Sequence, residues 1–417
     1  MKCPGAAKVG GMKRLAAALL MLTAGVAASD WPQWGGPSRD FKSDARGLAD
    51  AWPSGGPKKL WSRQLGDGYS AISAADGQLF TMLRRGEEDV VVALNAKTGK
   101  TVWEFAYAAP FGDWKHLPYG PGPHAAPLVD GDYVFSAGAT GIFSALERKT
   151  GKKVWGYDLL ADFGGYARPT GFSCSPLAYK DTVIMLVGGA NAAVVAFNKR
   201  DGKVVWKKHS FKTGSSSPIL IRFEGQEQLV AFMYGEIVGL NPANGELLWS
   251  HPHETYIGLN ISTPVWGDDN LLFFTSSYGT GSKVIRLKRA GTKIETEEVW
   301  ASPLVRVHFS NAMRIGDVIY ASSGDHGPAP FTAIDVKSGE VRWRNRELAR
   351  ASFVLADGKL IAVEEDGDVA LLRVTPKEIT VLAKAKLLDS IAWTAPTVVD
   401  TTLYIRDRKQ IAAFDLK

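Results

Sequence analysis

Apolar residues in this chain come in short runs broken by glycine, proline and small polar residues. Val91, Val92, Ala93 and Leu94 form one run, Thr98-Gly99 breaks it, and Thr101-Val102-Trp103 resumes it. β-Branched and aromatic residues favour strands. A glycine preceded by Thr, Asp, Asn or Ser suits a tight turn, because glycine takes positive φ without steric penalty. The same strand, turn and strand return at Gly151 and Trp155, Gly202 and Trp206, Gly245 and Trp249, and Gly339 and Trp343. From Trp103 through Trp155, Trp206, Trp249 and Trp300 to Trp343 the spacings are 52, 51, 43, 51 and 43 residues. Repeats of about 40–50 residues built from four short strands are propeller blades. A helical solenoid is the rival at this period, but amphipathic runs of helical length are missing after the N-terminal segment.

The pattern predicts an all-β, eight-bladed β-propeller of four-stranded antiparallel blades. Blade one spans residues 69–103, blade two 125–155, blade three 172–206 and blade four 216–249. Blade five spans 262–300, with Ala290-Gly291 as a degenerate turn, and blade six 311–343. Blade seven, 352 to about 382, lacks the Trp. The C-terminus supplies three strands and stops, while Lys59-Leu60-Trp61 reads as the end of a repeat without its beginning. The expectation is an N-terminal strand that closes the last blade and hides both sheet edges. Seven blades is the alternative count.

Steps of a small residue and proline open the blades: Ala126-Pro127, Ser175-Pro176, Ser217-Pro218, Thr263-Pro264 and Ala395-Pro396. Proline is tolerated where a strand begins, and small residues suit inner strands crowded around a channel. Longer insertions, at residues 111–123, 162–170, 251–260 and 301–310, join the outer strand of one blade to the inner strand of the next. They share the face with the inner-strand entrances, so this funnel face is the expected binding face.

The N-terminus changes the reading of charge. Lys2, Lys8, Lys13 and Arg14 precede an apolar run over residues 15–28, with no acidic residue before Asp30. This is the pattern of a signal peptide over residues 1–28, cleaved after Ala28. The run is too short for an ordinary membrane helix. Residues 29–56, opening Asp30-Trp31-Pro32-Gln33-Trp34, read as an arm packed on the body, and 57–417 as the propeller. The formal charge of the whole chain is +6, and removing the four leader cations leaves +2. Without a dense basic patch, nucleic acid is excluded as the expected partner. Of the two cysteines, Cys3 leaves with the leader and Cys174 stands alone, so no intramolecular disulfide is expected,. No Cys-x-x-Cys-His haem motif occurs.

The repeat text resembles the PQQ-like (pyrroloquinoline quinone-type) repeat family, exported propellers related to quinoprotein alcohol dehydrogenases. Ala93-Leu94-Asn95 with Thr98-Gly99-Lys100 and Val102-Trp103 carries the likeness. So do Phe197-Asn198 with Asp201-Gly202-Lys203, Gly239-Leu240-Asn241 with Asn244-Gly245-Glu246, and Ala333-Ile334-Asp335 with Ser338-Gly339-Glu340. The resemblance covers about residues 57–417. For the enzymes of that family it implies a quinone in the funnel over a Trp, with calcium held by Glu, Asn and Asp and another Asp as base. This sequence has no adjacent cysteines to cap a quinone, and the Glu, Asn and Asp set does not map onto it residue by residue. The resemblance extends to a cofactor-free branch that includes the outer-membrane assembly propeller of Gram-negative bacteria, a lipoprotein; no lipidation cysteine follows the leader here.

Four residues are candidates for a ligand site in the funnel. Arg306 and His308 precede Asn311, which stands where other blades have Ser or Thr. Arg suits an anionic group and His a proton. Arg168 and Trp393 are expected to converge with them, Trp393 as a stacking surface. Against this stands loop-to-loop hydrogen bonding. Asp325-His326-Gly327 is read as an Asp-stabilised turn, and Arg406-Asp407 interrupts the last blade at a hairpin. His251, His253 and Glu254 have metal-ligand chemistry, with both histidines on one side of an extended strand; the expected reading is a solvent-facing loop. Cys174 is expected to pack as a small apolar residue. Residues 364–368 form an acidic turn that lacks a complete calcium loop.

The function expected is an exported, non-catalytic, monomeric scaffold in the periplasm or medium, without metal or cofactor. Its partner would be a cell-envelope protein or a small ligand at the funnel face. The alternative is a PQQ- and calcium-dependent alcohol or sugar dehydrogenase with a diverged site.

Overall fold

The computed structural model describes residues 1–3, 30–111, 119–166, 168, 170–325 and 327–417. Residues 4–28 of the assigned leader, His326 and most of the first insertion lie outside them.

Eight antiparallel blades follow one another along the chain. Blade one is Ser73–Ala75, Gln78–Arg85, Glu88–Asn95 and Thr101–Ala108. Blade eight takes Thr397–Val399, Thr402–Arg406 and Gln410–Asp415 from the C-terminus and Lys58–Gln64 from the N-terminus. Lys58 pairs with Asp415 and Gln64 with Gln410, so the predicted closure is present and the count is eight, not seven. Blade seven, Ala351–Ala356 through Ile379–Lys386, gains a fifth strand when Lys42–Ser43 pairs in parallel with Leu355 and Ala356.

The repeat has a physical cause. In blade one Ala93 faces Trp103 while Leu94 faces Thr101, so Val102 is an extra residue in the outer strand. The same bulge recurs in front of Trp61, Trp155, Trp206, Trp249, Trp300 and Trp343. A bulge re-aims the side chain beside it. Here it turns each indole toward the next blade, where Nε1 of Trp103 donates to the Arg148 carbonyl at 2.8 Å and that of Trp155 to Lys199 at 3.0 Å. In blade seven the equivalent residue is Ala383, the lost Trp. Trp249 departs from the rule. Blade five has a long hairpin instead of a tight glycine turn, and Trp249 folds over Gly239 to bond Gln228 at 2.7 Å.

The N-terminal arm threads the inner edge of the ring. Trp31 pairs with Ala74 of blade one, and the Pro32 carbonyl accepts from Val129 of blade two at 2.7 Å. Buried Arg39 donates to the carbonyls of Pro176 and Pro218 in blades three and four. Trp34 Nε1 reaches Thr263 of blade five at 2.8 Å, and the Phe41 carbonyl accepts from Leu355 of blade seven at 2.9 Å. Ser43 reaches the Val398 carbonyl of blade eight at 3.2 Å. Among the described residues no helix is long and apolar enough to cross a membrane.

Candidate functional site in the central funnel

Hydroxyls at the inner-strand entrances latch neighbouring blades. Ser175 accepts from the Ala126 amide at 2.9 Å, and Ser217 from the Ser175 amide at 3.0 Å. Thr394 donates to the Tyr69 carbonyl at 2.9 Å across the closure. Asn311 makes a double latch, accepting from the Phe353 amide at 2.8 Å and donating to its carbonyl at 2.9 Å. Its unusual identity therefore serves the ring.

The residue at the mouth of each inner strand faces the channel. In blades seven, eight, one and two these are Arg350, Trp393, Tyr69 and His124. In blades three to six they are Ser173, Ser215, Ile261 and Ser310. Together with the insertions they line a cavity of about 690 Å³, within the range of small-molecule sites,. Trp34 of the arm also lines it, with Arg39 held below by the inner-strand carbonyls.

Part of the wall is aromatic. Trp393 stacks on Tyr69 with centroids 5.1 Å apart, and Phe309 and Tyr119 lie 4.4 and 4.7 Å from it. Tyr69 stacks on His124 at 5.4 Å, and burial holds that imidazole down to about 4. Arg350 covers Phe309 at 4.7 Å and lies 3.5 Å from Glu365, which accepts from Trp393 Nε1 at 3.3 Å. The lining also holds small hydroxylated residues, Ser173, Ser215, Ser217 and Thr263 among them. The Ser262 and Ser310 hydroxyls are buried in the lining with no hydrogen-bond partner among the described residues.

Of the four predicted residues, His308 and Trp393 line the cavity, bridged by Phe309 at 4.9 and 4.4 Å. His308 Nε2 is 3.1 Å from the Tyr278 hydroxyl. Arg168 and Arg306 are not brought into the lining. Buried Arg168 donates to the carbonyls of Ile257 and Gly258 and lies over Tyr234, tying two insertions together. Arg306 pairs with Asp325 at 2.6 Å.

Other readings change or hold. His251 and His253 share one side of their strand as expected, but that side is buried against Phe274, not solvent-facing. They bond Thr296 and Ser276, and neither joins a metal-ligand group among the described residues. Arg406 is fully buried and staples blade eight to blade one through Thr81 and the Met82 carbonyl at 3.0 and 2.7 Å. Asp407 accepts two amides of its own turn, Lys409 and Gln410, and two from the segment before the blade, Asp389 and Ser390. Burial pushes the Cys174 thiol up to about 12, which suits packing and not nucleophilic attack,.

The acidic turn is more compact than its sequence indicated. Oxygens of Glu364, Asp366 and Asp368 lie within 4.8 Å of one another, a group able to hold a metal ion. Lys384 Nζ already sits 2.7 Å from Glu364 and 3.5 Å from Asp368.

Tyr69, His124, Phe309 and Arg350 were missed by sequence reasoning. A signal existed for Tyr69, His124 and Arg350: each residue just before the first small residue of a blade faces the channel, and aligning the blades on those small residues picks out one per blade, though not Phe309.

The family model described as outer membrane protein assembly factor BamB matches residues 50–155, 86–345 and 258–417. The quinoprotein alcohol dehydrogenase PedH of Pseudomonas putida is 31% identical over 176 residues, covering 39% of this chain but only 27% of that protein. The outer membrane protein assembly factor BamB of Yersinia pestis is 22% identical over 353 residues, covering 78% of this chain and 82% of that one. Among solved structures, the quinohemoprotein alcohol dehydrogenase from Comamonas testosteroni superposes with a TM-score of 0.66 at 12% identity, covering 93% of this chain and 80% of that one, a likeness of fold alone. The likeness to outer membrane assembly factors accords with an extracytoplasmic location. The chain belongs to the PQQ-repeat β-propeller family, which is related to quinoprotein alcohol dehydrogenases and to BamB-like proteins.

Proposed function

We propose that this protein is an exported propeller that captures a small ligand in its funnel, as a non-catalytic binding component of the cell envelope. The observation that carries this reading is the funnel itself: a cavity of about 690 Å³ with Trp34 of the arm in its lining. A channel so furnished is a receptacle, and preformed concave sites are where small ligands are held. His308 and Trp393 serve the ligand, while Arg168 and Arg306 hold the insertions around it.

The quinone-enzyme reading has its own support in the PedH match and in the acidic group beside the funnel, whose Asp366 also lines the cavity. The fit to the cofactor is poor. Pyrroloquinoline quinone carries carboxylates, and Arg350, the lining arginine, already faces Glu365 and the carbonyls of Asp325 and Gly327. Two of the three carboxylates suited to calcium, Glu364 and Asp368, are already engaged by Lys384.

Calorimetric titration of the purified exported chain with PQQ, with and without calcium, tests the choice. The expected result is no saturable heat in either buffer. Tight, calcium-dependent, one-to-one binding overturns the non-catalytic reading and calls for an alcohol and sugar oxidation assay with an artificial electron acceptor.

A further inference from the structure

The funnel lining combines an aromatic surface with unsatisfied hydroxyls, and the combination selects a ligand. Tyr69, Trp393 and Phe309 form a continuous aromatic surface. In the same lining, Ser310, the residue after Phe309, and Ser262 are each 3% exposed, and their hydroxyls find no partner among the described residues. A hydroxyl buried without a hydrogen bond is destabilising, because it has given up water and gained no partner. Two of them in one cavity wall mark groups that a ligand would satisfy. Ser217 and Thr263 add to these groups: their oxygens accept from the Ser175 amide and the Trp34 indole, which leaves each O–H hydrogen to donate,.

Charge narrows the class. Arg350 is matched by Glu365, and Asp366 adds a carboxylate to the lining. His124 is neutral at physiological pH because burial holds it down to about 4. An anion would therefore meet carboxylates and no uncommitted lining arginine. A purely apolar ligand would leave the serines unsatisfied. What matches both the rings and the hydroxyls is a neutral molecule with an apolar face and a rim of hydroxyls that donate and accept, which describes a pyranose ring.

We propose that the funnel binds a neutral saccharide, its C–H face against the Trp393 and Phe309 wall and its hydroxyls toward Ser262 and Ser310. The cavity volume admits a short oligosaccharide. This inference rests on the funnel reading above and names its ligand class.

The test is titration of the purified exported chain with neutral gluco-, manno- and N-acetylhexosamine oligomers, and with oligouronates of matching length. Tryptophan fluorescence and calorimetry report binding. One-to-one binding of a neutral oligomer is expected, with the oligouronates at least about tenfold weaker. Ser262→Ala and Ser310→Ala should each weaken binding about tenfold, in the range of one lost hydrogen bond. They should leave the thermal midpoint unchanged or raised, because each removes an unsatisfied buried group; a loss of binding with a loss of folding would not match. Preference for the oligouronate, or serine variants that bind as well as wild type, overturns the saccharide assignment. If the oligomers fail but PQQ binds one-to-one in the same preparation, the saccharide falls while the funnel remains a ligand site. If neither binds to a folded sample, this inference is overturned and the funnel reading loses its support as well.

Discussion

The indole of Trp61 lies so close to Gly99 that a Cβ added to that glycine would stand 2.5 Å from the ring. Trp61 belongs to blade eight and Gly99 to blade one, so the contact seals the ring where the chain ends meet. Nε1 of Trp61 also donates to the Ala96 carbonyl of that turn at 2.9 Å. Gly99 is left-handed, with φ +68°. Gly99→Ala therefore meets two penalties: about 1 kcal/mol for the backbone, and about 1–3 kcal/mol for overpacking against the indole. Gly131→Ala is the control. Its φ is +57°, but nothing lies within 4 Å of the added Cβ. Urea unfolding should show Gly99→Ala clearly less stable than Gly131→Ala. Equal losses would mean that the backbone alone sets the penalty and that the indole yields.

Arg39 should govern the arm. Its guanidinium bonds the carbonyls of Pro176 and Pro218 and the Gln33 side chain at 2.9 Å, and burial lowers it to about 10. Arg39→Met leaves two inner-strand carbonyls facing an apolar side chain, at about 1–3 kcal/mol each. The arm is expected to loosen before the blades do, because local openings cost less than global unfolding. Amide exchange should quicken at Val129 and Leu355, which bond the carbonyls of Pro32 and Phe41. Protection unchanged at both amides would place the anchoring of the arm in its tryptophans.

The repeat was legible in the sequence because one physical device makes it. Gly99, Gly151, Gly202, Gly245 and Gly339 each receive the Trp of the preceding blade, so glycine and tryptophan recur together. Gly245 and Trp249 hid the exception, since Trp249 has no tight glycine turn to dock on and turns back over Gly239. The closure was legible because Trp61 kept the repeat's ending. The funnel was only half legible. Trp393 and His308 stood out as unusual residues, whereas Tyr69 and Arg350 looked ordinary until the ring set them beside Trp393 and Phe309. Arg168 and Arg306 were chosen for their chemistry, and spacing along the chain does not reveal that nearby carbonyls and Asp325 engage them.

Acid should destabilise the protein through buried histidines. Burial holds His253 down to about 3, with Lys283 and His251 acting in the same direction and Glu298 opposing. An unfolded histidine titrates near 6.5. Between those values the unfolded chain binds a proton that the native state refuses. The stabilising contribution is therefore complete above about pH 6.5 and is lost as pH falls toward 3. His124, held down to about 4, acts in the same sense. Each histidine lowers stability by up to about 1.4 kcal/mol per pH unit inside the window. His253→Gln should be less stable at pH 7, having lost packing between Phe232 and Phe274. It should also show a shallower decline between pH 6 and 4. Urea midpoints across that range check this, and an unaltered slope would assign the acid sensitivity to another group.

Lys384 holds the place of a cation. Its ammonium lies 2.7 Å from Glu364, whose carboxyl is 1% exposed, and 3.5 Å from Asp368. Calcium needs six to eight oxygens, and at this turn it would have to displace a lysine that already balances the charge. Millimolar calcium should therefore leave the thermal midpoint of the wild-type protein unchanged relative to chelator. Lys384→Met removes the balancing charge from a buried carboxylate, and a loss of about 1–3 kcal/mol is expected, below the figure for a fully buried pair because the lysine is partly exposed,. Calcium should restore part of that loss in the variant alone, since Glu364 then has no cation against it and, of the three carboxylates, Lys386 reaches only Asp368, at 3.8 Å. A wild-type midpoint that rises with calcium would reverse the argument. The lysine would then be a placeholder that yields to the metal, and the quinone-enzyme reading would gain the cation it requires.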